Sequence, residues 1–181
     1  MAAIVAGEIL SKYSVSAAAG NTTSGTAATS LGDQISTTTI ADATLNALFD
    51  DISGAENAAS TVDYRCIFIH NNNASNALQN AVIWLSAEVA NGASIAIAID
   101  NLSASAIGAG VAQAAVIGAE TTTPSGVGAF SSPTTFGTGL SLGTIAAGSC
   151  RAVWFRRTAA NNAALNNDGV TWSVQGDTGA L

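Results

Sequence analysis

Basic residues are scarce in this chain of 181 residues. Lys and Arg together number 5, against 12 Asp and Glu, for a formal charge of −7 and a pI near 4.2. A nucleic-acid binder needs cationic side chains to displace counterions from phosphates, so this balance argues against a nucleic-acid partner. It argues equally against an anionic membrane surface. Two cysteines, Cys66 and Cys150, are too few for a disulfide scaffold. Two buried thiols and one disulfide both remain open from the spacing. No window approaches the roughly 20 consecutive apolar residues of a membrane helix. The opening MAAIVAGEILSKYSV has its only lysine after the apolar stretch, the reverse of a secretory signal, so synthesis in a cytoplasm is expected. The sequons at Asn21, Asn73 and Asn101 therefore carry little weight.

Charged residues make up only 9% of the chain, and much of the 48% hydrophobic content is alanine. Small side chains dominate, yet the length is enough for one domain with one core. Charge is uneven. Six acids and no base lie between Lys12 and Arg65, while Arg151, Arg156 and Arg157 cluster late. Residues 14–30 hold almost no large side chain and cannot repay their ordering entropy alone. Residues 1–38 therefore read as a flexible N-terminal arm and linker, with 39–181 as a single domain. Ile4, Ile9, Leu10 and Tyr13 are the arm's large groups and its candidate docking residues.

In 39–52 the spacing of Leu45, Leu48, Phe49 and Ile52 predicts a short helix. Thr39 and Asp42 suit its start and Gly54 its stop, and SGAENAAS then reads as a loop. From residue 62 the period changes to that of strands. VDYRCIFIH is apolar on both faces, as in a central strand. LQNAVIWLSAEV and ASIAIAID follow, joined by an Asn-Gly pair that signals a hairpin. SCRAVWFRRTA and VTWSVQGDT are the last clear strands. Residues 103–128 read as neither strand nor loop with any force, and GVGAFSSP reads as an edge strand or loop. Short strands, frequent turns and little helix predict an all-β, antiparallel β-sandwich or jelly-roll-like fold.

No catalytic constellation is visible. The one histidine, His70, has no G-x-S-x-G elbow beside it. Asp50 and Asp51 are adjacent, which is poor geometry for paired acid–base work. No calcium loop, dinucleotide fingerprint or phosphate loop occurs. No cofactor or metal is expected, and no enzyme activity. The arginine cluster has two readings: an internal tie between late and early strands, or a contact with an acidic partner. Trp84, Trp154 and Trp172 lie in apolar runs and read as core rather than as a glycan platform.

Three stretches in order then carry a resemblance: LNALFDDISGAENA (45–58), VDYRCIFIHNNNASNALQNAVIWL (62–85) and LGTIAAGSCRAVWFRRT (142–158), with the VQGDT ending. Together they resemble a family of small tailed-phage virion proteins of the capsid cement, or decoration, kind. The pattern is an LFDD-x-SG turn, a YRC strand, an LQNA strand and a final A-h-W-h-R-R-T strand. Here these are Leu48–Gly54, Tyr64–Asn71, Leu78–Ala81 and Gly143–Thr158, about half of the chain. The resemblance implies a β-sandwich on the outer capsid surface, with the major capsid protein as partner and a dimer or trimer of itself. A tail, baseplate or fibre module contacting a receptor or glycan is the alternative. On the first reading, removing residues 1–30 should leave a folded sandwich that no longer docks.

Overall fold

Two long strands of β-branched and aromatic residues set the architecture. In the computed structural model, which describes residues 3–16, 22–108, 110–163, 165 and 168–180, β3 (Val62–Asn71) and β9 (Ser149–Thr158) pair antiparallel from Val62 opposite Thr158 to His70 opposite Cys150. β1 (Ile9–Val15) lies on the other side of β3, and β2 (Gly32–Thr39) beyond it. β5 (Ser94–Ile99) flanks β9, and the short β6 (Ser105–Ala106) pairs the far end of β9. With β7 (Ala114–Val116) beside β2, the order of this seven-stranded sheet is β5-β9-β3-β1-β2-β7. A second sheet has three strands in the order β10-β4-β8, formed by β10 (Val170–Ala180), β4 (Asn76–Glu88) and β8 (Leu140–Ile145). The fold is all-β and sandwich-like, as the strand pattern predicts.

The large sheet is buried on both faces. On one, Ile67, Ile69, Ile97, Val153 and Phe155 meet Ala81, Ile83, Leu85, Leu142 and Ile145 of the small sheet. On the other, Cys66, Phe68, Cys150 and Trp154 meet Ile107, Ala114, Ile117, Val127 and Phe130. This second cover comes from 103–130, the stretch that shows no clear pattern in the sequence. It holds on by backbone bonds at the strand ends: Tyr64 N–H donates to the Glu120 carbonyl at 2.7 Å, and Ile97 and Ser131 exchange bonds at 2.8 and 3.0 Å. Irregular chain with only a few apolar anchors has no period to detect, but it does have carbonyls to offer.

Four expectations need correction. Thr39 ends β2 and 40–52 form turns and irregular chain rather than a helix, because Ala43 and Asn46 take left-handed backbone angles (φ 53° and 56°). Leu48 is buried there, whereas Leu45 is 73% exposed. The α-helix instead spans Gly54–Ala59, where a loop was expected. Ser53 Oγ accepts from Glu56 N–H and the Glu56 carboxylate accepts from Ser53 N–H at 2.7 Å, a capping box written in the sequence as S-x-x-E. Second, the Asn91-Gly92 turn makes no hairpin: β4 and β5 belong to different sheets, and the turn carries the chain between them.

Third, of the two readings left open for the cysteines the disulfide falls and the buried thiols stand: Cys66 and Cys150 are both free and buried. They sit four register positions apart on neighbouring strands, roughly 13 Å at the strand rise, too far to bridge. Fourth, the expected arm is largely sheet. β1 is an interior strand, and its Ser14 hydroxyl accepts from Gly32 N–H at 2.9 Å. Gly32 has φ +99°, and a Cβ there would sit 1.8 Å from the Ala115 carbonyl oxygen, so only glycine lets β2 turn in beneath β7. Ladder bonds hold these strands together with Ile9, Tyr13 and Ile35, which pack into the two cores. The expected flexible segment at 17–21 and the sequon at Asn21 lie outside the described residues.

Removing residues 1–15 therefore takes out an interior strand. We expect that truncation to abolish the cooperative thermal transition followed by circular dichroism; a folded protein with an unchanged midpoint would contradict the role of β1.

Candidate functional site

The residues singled out in the sequence fall into two structural groups. Ile4, Ile9 and Tyr13 pack against the core between the sheets, and Leu10 is half-buried in β1 opposite His70. Tyr13 donates to the Ala47 carbonyl at 2.5 Å, fixing the 40–52 turn region. Ile4 N–H donates to Thr178 Oγ1 of β10 at 3.1 Å. Glu8 bonds Val5 N–H at 2.9 Å and Asn73 Nδ2 at 3.0 Å, and these bonds hold its carboxyl below the usual range. The N-terminal segment is thereby tied to both sheets.

Of the arginines, Arg157 serves the interior. Its guanidinium donates to Asp63 Oδ2 at 2.7 Å and to Asp50 Oδ1 at 3.3 Å, and it lies 4.8 Å from the Phe49 ring centroid. Arg65 faces the same ring at 5.8 Å and pairs with Glu120. Phe49 is thus flanked by two cations, each held by carboxylates, and the 40–52 turns are clamped over that end of the sheet. Arg156 stacks on Phe130 at 5.3 Å, holding the other cover. Arg151 donates to the Asp100 carbonyl at 2.9 Å and to the Leu102 carbonyl, with no carboxylate at pairing distance among the described residues.

No catalytic assembly appears among the described residues. His70 is 1% exposed, and neither ring nitrogen has a partner there. Burial and then the Lys12 charge lower its pKa to about 4, so it is neutral at pH 7. Burial raises the Cys150 thiol to about 12 and pushes Cys66 well above its ordinary value, which makes both poor nucleophiles. No three Cys, His, Asp or Glu side chains among the described residues converge to hold a metal ion. No described helix is long and apolar enough to cross a membrane.

What the sequence reading missed is the outer face of the small sheet. Trp154 is fully buried with its Nε1–H on Asp100 Oδ2 at 2.9 Å, and Trp172 packs edge-on to Phe155 at 5.0 Å. Trp84 differs. It pairs with Ser173 on the face turned away from the core, half-buried, and meets Phe136 edge-on at 5.8 Å. Phe136 is 48% exposed. Around this pair stand Val82, Gln175, Ser141, Ser86 and Thr171, all uncharged. The alternation around Trp84 held the signal: Ile83 and Leu85 point inward, so Trp84 points out. No family model, curated protein or solved structure matches the chain.

Two predictions follow from the buried ionisable groups. Asp63→Ala leaves Arg157 buried with only the more exposed Asp50, and should cost about 3–5 kcal/mol in urea unfolding. The Asp63→Leu/Arg157→Leu double variant should recover much of that loss. For His70, the folded pKa lies below the unfolded one, so the unfolded chain binds the extra proton. Stability falls as pH drops from about 6.5 to about 4 and levels off below, by up to about 3 kcal/mol. His70→Leu should remove that component, read as the pH-dependent part of the difference from wild type between pH 7 and pH 4.

Proposed function

We propose that this chain is a non-enzymatic structural protein of a tailed-phage virion, a cement protein that binds the outside of the capsid shell. It would bridge neighbouring major capsid protein subunits and act as a dimer or trimer assembled in the host cytoplasm. The observation that supports a docking role is the outer face of the small sheet. An aromatic pair stands beside Ser86, Ser141, Thr171 and Gln175, next to the edge strand β10. Tryptophan-centred patches ringed by polar groups suit protein interfaces, where a few large side chains dominate the binding energy. Many copies on a symmetric lattice then turn modest contacts into strong retention. The resemblance of the LFDD, YRC, LQNA and AVWFRRT stretches to decoration proteins supplies the shell as partner.

The alternative, a tail, baseplate or fibre module that contacts a receptor or glycan, draws on the same face. An aromatic ring flanked by hydroxyls and amides also suits a sugar ring.

Co-sedimentation with undecorated expanded shells, against tail fractions and host envelopes, tests the reading. Saturable binding at a fixed ratio to the major capsid protein is expected. Trp84→Ala should keep the thermal transition, since its side chain lies outside the core, and weaken shell binding by about 30-fold, equivalent to about 2 kcal/mol. Retention on tails or envelopes with no shell binding would overturn the cement assignment.

A further inference from the structure

Three of the five cations, Lys12, Arg151 and Arg156, have no carboxylate at pairing distance among the described residues. Arg65 and Arg157 are paired with carboxylates, Arg156 lies on Phe130, and Lys12 donates to the Thr37 carbonyl at 3.4 Å. Of these three, Arg151 lines a cavity of about 340 Å³ where loop 101–104 meets the outer edge of β8. Its two bonded acceptors are backbone carbonyls, which orient the guanidinium but carry no net charge. The nearby Asp100 carboxylate favours the Arg151 charge through space but makes no side-chain bond to it: Oδ1 accepts from Leu102 N–H, and Oδ2 from Ala115 N–H and Trp154 Nε1–H, at 2.8–2.9 Å. Of the five guanidinium hydrogens, the carbonyls take two. The Nε–H is buried with no acceptor among the described residues, and two Nη hydrogens remain.

The opposite wall is built by a break in β8. Register shifts on both sides of the Ala81–Gly143 pair, one extra residue falling in β4 and the other in β8, interrupt the ladder here, with Gly143 at φ +72°. Ser141 Oγ accepts from Gly143 N–H at 3.2 Å, which leaves its own hydrogen free to donate. Ser103 and Thr144 add two more hydroxyls, and Leu142 an apolar floor. Leu102, 43% exposed, follows Asp100 and Asn101 in the adjoining loop.

We propose that this cavity is a carboxylate-binding site that takes one acidic side chain of a partner protein. One unpaired guanidinium matches one negative charge. Charge-assisted bonds of this kind are about twice as strong as neutral ones. A phosphate dianion fits less well, since a chain of net charge −7 offers it no second cation here. The inference does not depend on the shell assignment.

The test is a titration of the full chain, followed by backbone amide shifts, with N-acetylglutamate amide, N-acetylglutamine amide and inorganic phosphate. The glutamate compound should give saturating shifts at Ser103, Ala104 and 141–144, with affinity about tenfold or more above the other two. Arg151→Gln should abolish them with the remaining spectrum intact. Because Arg151 also braces the loop, the glutamate–glutamine comparison on the unaltered chain decides the matter if that variant misfolds. Equal shifts with the glutamine compound, stronger binding of phosphate, or shifts mapping elsewhere would overturn the site.

Discussion

The pairing of β3 with β9 governs the rest of the molecule. Both strands carry large apolar side chains on both faces: Phe68 and Trp154 to one side, Ile67, Ile69, Val153 and Phe155 to the other. A sheet built on such a pair cannot leave either face in water. The chain meets this demand with two unlike covers. The three-stranded sheet closes one face with regular structure. The other is closed by irregular chain from 103–130, whose few apolar residues land on the ring of Trp154 and its neighbours.

Covers of low regularity need pins, and the polar groups supply them. Asp100 ties the buried Trp154 indole to Ala115 and Leu102, so a single carboxylate joins the sheet to its loop cover. On the other face, Arg65 and Arg157 enclose Phe49 and hold the 40–52 turns against the end of β3. Burying an ion pair such as Arg157–Asp63 yields little net stability, but leaving one partner alone is costly. The Arg157–Asp63 pair therefore favours the packing that brings both charges together. The same logic explains why the arginine cluster is divided. Arg156 and Arg157 face opposite sides of β9 and serve opposite covers, while Arg151 sits beyond the end of β5, where carbonyls rather than carboxylates meet it.

With the interior so committed, what the surface offers is chemistry of contact. The small sheet turns Trp84 and Phe136 outward among uncharged polar side chains, and β10 is its edge strand. These are the features from which a docking role is proposed. His70 and both thiols are shut in and held neutral, and so are unsuited to proton transfer or nucleophilic attack at pH 7.

Legible in the sequence were the all-β class, the double-sided central strand at 62–70, the late strand from Ser149 through Thr158, and the outer strands from 78 and 170. In each, side-chain alternation is a local property that survives without knowledge of partners. It also held the Ser53–Glu56 capping box and the outward turn of Trp84, both readable from spacing. Only the tertiary structure decided the rest. Leu45, Leu48, Phe49 and Ile52 have helical spacing, yet a cation on each side of Phe49 and the Tyr13 hydroxyl on Ala47 hold that segment in turns. Residues 9–15 and 32–39 read from the sequence as part of a flexible arm, yet they become sheet because β1 finds its partner in β3 and β2 in β1. The cavity at Arg151 brings together residues some 40 positions apart in the chain, through a bulge that no periodicity announces. Backbone hydrogen bonds and ion pairs between distant segments leave no local pattern, and they placed every element that sequence periodicity did not.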